Sequence, residues 1–515
     1  MEGAPVLRQL ISNLLATYPL SPRWRWALLA VFVAHWALGA ALGLSVDEAH
    51  YALYAAHPAL SYFDHPPLVG WVQWPLVALN APTAVLRLLP GLLWLLTMLL
   101  VYLLALRLGT GDAAQRARGG VGALLVLLLA PLLHILGIGL LPDTLLMVLS
   151  VALMLQTLRM MEMDAEQVRR PAPWLMLGLL LGLAGLSKYT AIFTALAVAL
   201  CLLWAHGLSL LRSGWLWIAC LLALLLISPV LIWNAQHQWI SFVYQLRHGA
   251  GGGWRLLEET RFLLVQLLSY GALLWFGLPG VSLVAPGKRC LLAFFVLPFA
   301  LLALMAGGGS SLPHWTAPAW VALAPFAGIA LAARPRRGAG VRLLAGLQWL
   351  ACLALPALLL SAGMPWMEGK VASAQSSDPP NPFADLHGWD AAGARALELA
   401  RQHGLDSVAV QNWTLASRIG WYARPLKVRV LEDRFDQFDL WAGKLPVGGS
   451  ALLVDWSQLP YQTPLGAHGF AQCQTLERLD VQRFGFALAH FDFYACSGWS
   501  GQAQPMLKPA AGATP

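Results

Sequence analysis

The chain has 515 residues, 58% of them hydrophobic and only 11% charged, with 24 tryptophans and a formal net charge of +8. That balance excludes an ordinary soluble domain and describes a polytopic membrane protein. The positive charge is expected to follow from membrane topology, not from affinity for nucleic acid.

The first apolar run, near 26–45, follows Arg23 and Arg25 and ends in small residues, as a signal peptide does. Its length and the many runs behind it predict a retained helix instead. The next stretch, LSVDEAHYALYAAHPALSYFDHPPLVGWVQWP at 44–75, concentrates Asp47, Glu48, Asp64 and three histidines (His50, His57, His65) in one connection. Further runs near 84–106, 120–141, 143–159, 173–187, 190–211, 214–233, 262–285, 290–306, 315–333 and 342–362 bring the expected count to about eleven membrane helices.

Basic residues set the orientation. Arg8, Arg23 and Arg25, then Arg107, Arg116 and Arg118, then Arg159, Arg169 and Arg170, then Arg212, Lys288 and Arg289, and last Arg334, Arg336, Arg337 and Arg342 assign alternate connections to the cytoplasm. An odd number of spans then exports the chain from about residue 363.

The exported tail reads as a small α/β module. An amphipathic helix over 384–404, a strand at 406–412, a helix at 413–424 and strands at 426–431 and 451–456 are expected. The predicted organisation is a membrane domain over 1–362, a polar, proline-rich linker over 363–383, the module over 384–500 and a disordered end over 501–515. Cys201, Cys220, Cys290 and Cys352 lie in apolar runs and read as small buried hydrophobes. Cys473 and Cys496 share the exported module, where an oxidising compartment permits a disulfide.

Ionisable groups near a membrane interface are functional candidates. Asp47 and Glu48 close the first run, where they either cap the next helix or supply a base. Asp143 opens the next exported turn in GLLPDTLL, and Lys188 and Tyr189 follow in GLSKYT. Arg247 and His314 stand on later exported connections, where the positive-inside rule makes a cation exceptional. The prolines of YFDHPPL forbid ordinary helix beside His65, whose neighbour Asp64 offers either a structural hydrogen bond or a way to hold the imidazole charged. Together His65, Lys188, Arg247 and His314 would suit a lipid phosphate. GAGGG at 249–253 lacks the Lys-Ser/Thr ending of a nucleotide loop, and neither HExxH nor G-x-S-x-G occurs.

DEAHYALYAAHPALSYFDHPPLVGW, followed by LLPDTLL, GLSKYT, PVLIWNAQHQWISF and LPHWTAPAW, resembles the bacterial membrane glycosyltransferases related to protein O-mannosyltransferases and to the aminoarabinose transferase of lipid A. The resemblance runs over roughly 26–335. It implies the C-type glycosyltransferase fold, an α-helical polytopic membrane domain with a small C-terminal α/β periplasmic domain. It further implies a polyprenyl-phosphate sugar donor and a site at the outer face of the inner membrane. Asp47 matches the family's catalytic acid, Glu48 completes that motif, and Asp143 matches a second acid. His65 takes the place of a lysine in the aminoarabinose transferases, which leaves the donor sugar open.

The expected chemistry is a direct, inverting displacement. Asp47 accepts the proton of an acceptor hydroxyl, polyprenyl phosphate leaves, and Lys188, His65, Arg247 and His314 stabilise its charge. Asp64 and Tyr189 support that set. Asp143 either orients the acceptor or joins Asp47 around a divalent metal ion. The acceptor is a lipid, lipopolysaccharide, other glycan or protein hydroxyl. A transporter or flippase for a lipid-linked sugar is the competing expectation, although its charges should gather near the midplane of repeated halves.

Overall fold

The structure is a computed structural model that describes residues 20–250, 253–309, 311–333, 338–362, 383–458, 461–462, 469–484, 486–502 and 508–509. Most of the expected linker and disordered end, Arg8, Arg334, Arg336 and Arg337 lie outside the described residues, as do the side chain of His248 and two glycines of GAGGG.

Every predicted apolar run coincides with helix, but not every run is a full crossing. Among the described residues seven helices are long and apolar enough to span a membrane: Thr83–Leu108, Pro142–Met161, Gly214–Gln236, Leu256–Val281, Pro286–Ala306, Pro313–Ala333 and Ala339–Ser361. The run near 120–141 breaks into Ala113–Leu128 and Pro131–Ile138, bent by 81°. Pro131 causes the break, because it cannot donate to the preceding turn and holds Ala130 extended. The bent pair would make an eighth span. The remaining runs form Pro22–Ala40, Pro171–Ser187 and Ala191–His206, of 19, 17 and 16 residues. At about 1.5 Å per residue the two shorter ones reach about 25 Å, less than the ~30 Å hydrocarbon core. The expected eleven is therefore a count of apolar helices rather than of full-length crossings.

Lipid is the solvent this arrangement requires. Within their most apolar stretches, 83% of the residues of Pro142–Met161 and of Pro313–Ala333 are buried in the protein, against 6% in the predominantly apolar Ala339–Ser361. The chain is a multi-pass membrane protein. Close helix approach is secured by small residues: a Cβ on Gly328 would stand 2.0 Å from the Gly119 carbonyl oxygen, so Ala113–Leu128 and Ala317–Ala333 meet backbone to backbone.

The chain packs as two compact units, and the boundary is not a single cut near residue 362. One comprises 1–37, 59–72 and 85–353; the other comprises 38–58, 73–84 and 354–515. The second unit thus contains the start of the first connection as well as the C-terminal module.

Within that second unit a five-stranded sheet runs in the order Lys427–Val430, Ser407–Val410, Ala451–Trp456, Phe486–Trp499, Phe470–Arg483. The first three strands are parallel, and the last two form a long antiparallel hairpin. The sequence reading missed this hairpin. Phe470–Arg483 is largely solvated and offers no apolar run to read, so its position comes from pairing with Phe486–Trp499. Cys473 and Cys496 are directly opposite across the hairpin and joined by a disulfide, while Cys201, Cys220, Cys290 and Cys352 are free thiols. The predicted tail helices settle at Trp389–Gln402 and Trp413–Tyr422, the second capped by Asn412.

Candidate functional site

In the membrane unit three predicted residues converge. Asp143 is the second residue of Pro142–Met161, where the helix dipole favours a carboxylate, and Lys188 ends Pro171–Ser187 in extended conformation, where it favours a cation. The Lys188 ammonium donates to both Asp143 oxygens at 2.7 Å. The side chains are only 6% and 2% exposed. His314 Nε2 stands 3.8 Å from Asp143 Oδ2, and Lys188 Nζ lies 5.0 Å from the centre of the Trp315 ring.

This pairing changes the roles expected from sequence. Lys188 is expected at a donor phosphate; in the structure its ammonium is paired with Asp143 and both side chains are buried. Asp143 was a candidate metal ligand, yet an ammonium covers both its oxygens. Among the described residues no three His, Cys, Asp or Glu side chains converge.

Asp64 and His65 form a second, more open pair. His65 Nδ1 lies 3.2 Å from Asp64 Oδ2, with 15% and 18% of the side chains exposed. The turn is fastened on the side away from that pair. Ser241 Oγ donates to the Tyr62 carbonyl at 2.9 Å, Gln245 donates to the Asp64 carbonyl, and Phe63 packs on Tyr244 with ring centres 4.7 Å apart. Gln245 and Arg247 belong to Ile240–Ala250, a helix not foreseen in the exported connection. Arg247 is exposed and forms no ion pair among the described residues. The buried Tyr189 hydroxyl faces Ser61, Asn234 and Ser241, which ties the residue after Lys188 to the residues that hold this turn.

In the other unit the acids Asp47 and Glu48 separate in function. Ser45 caps Val46–Ala56, and Glu48 completes a capping box by accepting from the Ser45 N–H at 3.1 Å and from its hydroxyl at 2.9 Å. Glu48 is therefore a buried residue that closes the start of this helix. Asp47, at N2, is left half-buried and outside the cap.

The sequence reading missed the residues that hold this helix. His50 Nδ1 lies 3.1 Å from the Ser417 hydroxyl, with the Trp413 ring at 5.5 Å. The Leu44 N–H donates to the Tyr422 hydroxyl at 2.9 Å. Arg418, 1% exposed, is ion-paired with Asp385 and stacked 3.8 Å over Trp389. Burial lowers the Arg418 guanidinium to about 9 while the Asp47 carboxylate pulls it upward, so it remains a cation at neutral pH. The available signal was a lone arginine on an otherwise apolar helix, WTLASRIGWY.

A multi-pass α-helical membrane unit with charged connections, together with a small α/β module, is the architecture of the C-type glycosyltransferases. Residues 64–233 match the family model described as dolichyl-phosphate-mannose-protein mannosyltransferase. The fold is similar to that of ArnT from Cupriavidus metallidurans bound to undecaprenyl phosphate, with a TM-score of 0.59 at 17% identity, covering 94% of this chain and 100% of that one. The apo structure of the same protein gives a TM-score of 0.54 at 16% identity, covering 94% and 99%. No curated protein matches the chain in sequence. The resemblance drawn from the motifs is borne out, and at these identities the likeness establishes the shared fold.

Proposed function

We propose that the protein transfers a sugar from a polyprenyl-phosphate donor of the undecaprenyl type to a hydroxyl of a lipid, lipopolysaccharide or other cell-envelope acceptor at the periplasmic face of a bacterial inner membrane. The observation that carries this reading is a fold shared over the whole length of a protein crystallised with undecaprenyl phosphate. The disulfide of the C-terminal module agrees with export of that module.

In the proposed reaction the acceptor oxygen attacks the anomeric carbon as its proton passes to Asp47, and the bond to phosphate breaks. Polyprenyl phosphate departs with the electron pair as a stable anion, so no general acid is needed and the sugar carbon inverts. His65 and Arg247 supply the charge that receives the phosphate, since Lys188 is already committed. Asp143, Lys188 and His314 act as positioning residues, and Tyr189 and Asp64 support the turn that carries His65.

The test is turnover in proteoliposomes containing a radiolabelled polyprenyl-phosphate sugar, with lipopolysaccharide added as acceptor. Free polyprenyl phosphate is released by the native protein, and Asp47→Asn lowers the rate by about 10²–10⁴-fold with the thermal transition unchanged. Full turnover by Asp47→Asn removes the assignment of the base. Movement of the intact sugar lipid across the bilayer without cleavage makes the protein a flippase instead. An alkaline phosphatase fused after residue 502 is active if the module is exported, and inactive if the topology is reversed.

A further inference from the structure

In the membrane unit, a cavity of about 110 Å³ opens between the end of Leu88–Leu108, the start of Ala113–Leu128 and the end of Ala317–Ala333. Its polar lining includes Thr110, Gln115 and Arg116, and its apolar lining includes Leu283, Ile329 and Ala332. The cavity borders the close helix contact at Gly119 and Gly328, and Gly119 and Ile329 are part of its lining.

A hydroxyl, a carboxamide and a guanidinium are the donors an anionic phosphate accepts from. Arg116 uses Nε on the Gly111 carbonyl at 3.3 Å, and neither Nη has a hydrogen-bond partner among the described residues. The nearest acid in sequence, Asp112, caps the Gln115 N–H at 2.7 Å and does not line the cavity. Two further cations, Arg107 and Lys288, share the single carboxylate of Glu162 at 2.7 and 2.5 Å. An apolar lining in the same cavity suits a phosphate that carries acyl chains better than a free ion. These helix ends also bear the arginines that the positive-inside rule assigns to the cytoplasmic leaflet, where anionic lipids attract basic segments.

We propose that this cavity binds the phosphate headgroup of an anionic phospholipid. The site is separate from the residues assigned to the transfer reaction and does not depend on that assignment.

The experiment uses the purified full-length protein in neutral detergent, with phosphatidylglycerol, phosphatidylcholine or inorganic phosphate as probe, read by native mass spectrometry and by the thermal transition. Phosphatidylglycerol is retained and raises the transition, and Arg116→Gln weakens its binding roughly ten-fold. Gly119→Ala serves as a second variant, because its added methyl meets Ile329 at an ordinary 3.8 Å while narrowing the cavity. It lowers lipid retention and leaves the lipid-free transition in place. Equal binding of phosphatidylcholine, or an equal shift from inorganic phosphate, overturns the proposal. So does undiminished phosphatidylglycerol binding in Gly119→Ala, whether or not Arg116→Gln folds.

Discussion

Two acid–base pairs in the membrane unit have the same chemistry and opposite surroundings. Asp143 and Lys188 are joined by two 2.7 Å hydrogen bonds with almost no exposed surface, whereas Asp64 and His65 touch at 3.2 Å with about one sixth of each side chain accessible. In a low dielectric the closed pair cannot exchange its partner for a ligand without stranding a charge, while the open pair can. Geometry therefore separates a lysine closed against its aspartate from a histidine that keeps part of its surface accessible.

The closed pair should give the largest stability effect. Lys188→Met leaves the Asp143 carboxylate buried without its ammonium partner, with only His314 at 3.8 Å, and is expected to cost about 3–5 kcal/mol, measured by denaturant unfolding in detergent. The double variant Asp143→Leu, Lys188→Met removes both charges and should recover most of that loss. A double variant as unstable as the single one would place the pair's importance outside charge compensation.

Asp436 extends the comparison to a buried acid with no ion pair among the described residues. It is 4% exposed, its Oδ1 accepts from the Phe438 N–H at 2.7 Å, and its Oδ2 has no hydrogen-bond partner. Burial raises its carboxyl to about 6 from an ordinary 3.8, with further raising by Asp439 and Glu432 and lowering by the Phe438 N–H and His50. A raised folded value favours the protonated fold, so this contribution is complete below pH 3.8 and is lost as pH rises through about 6. Asp436→Asn should remove about 1–3 kcal/mol of pH dependence across that window, read by tryptophan fluorescence of the full chain. An unchanged pH profile would show that Asp436 does not titrate there.

The open pair should affect turnover more than stability. His65→Gln is expected to lower release of polyprenyl phosphate about ten-fold, with stability changed by under about 1 kcal/mol, while His65→Lys retains most activity because it restores a cation. Loss of folding in His65→Gln would move this pair to the structural side of the comparison. Arg247→Gln, on an exposed side chain, should give the smallest effect, a few-fold rise in donor KM with kcat preserved.

Local pattern made much of the molecule legible in its sequence. Apolar runs marked every membrane helix, because a helix in lipid must be apolar along its whole length whatever its neighbours are. The parallel strands were readable for a related reason, Ser407–Val410 and Ala451–Trp456 as short apolar runs and Lys427–Val430 as an alternation of charged and apolar residues. The solvated Phe470–Arg483 strand was not, since its place is set by a partner strand.

The sequence by itself determined that this is a membrane protein, where its helices lie, and which scarce ionisable residues need an explanation. Tertiary structure decided what each of those residues does: Glu48 closes a capping box, Lys188 neutralises an aspartate 45 positions away, and Arg418 is buried between Asp385 and Trp389. The physical reason is that apolar burial follows local periodicity, whereas the partner of a desolvated charge is fixed by packing between distant segments, and at low dielectric that partner sets its role.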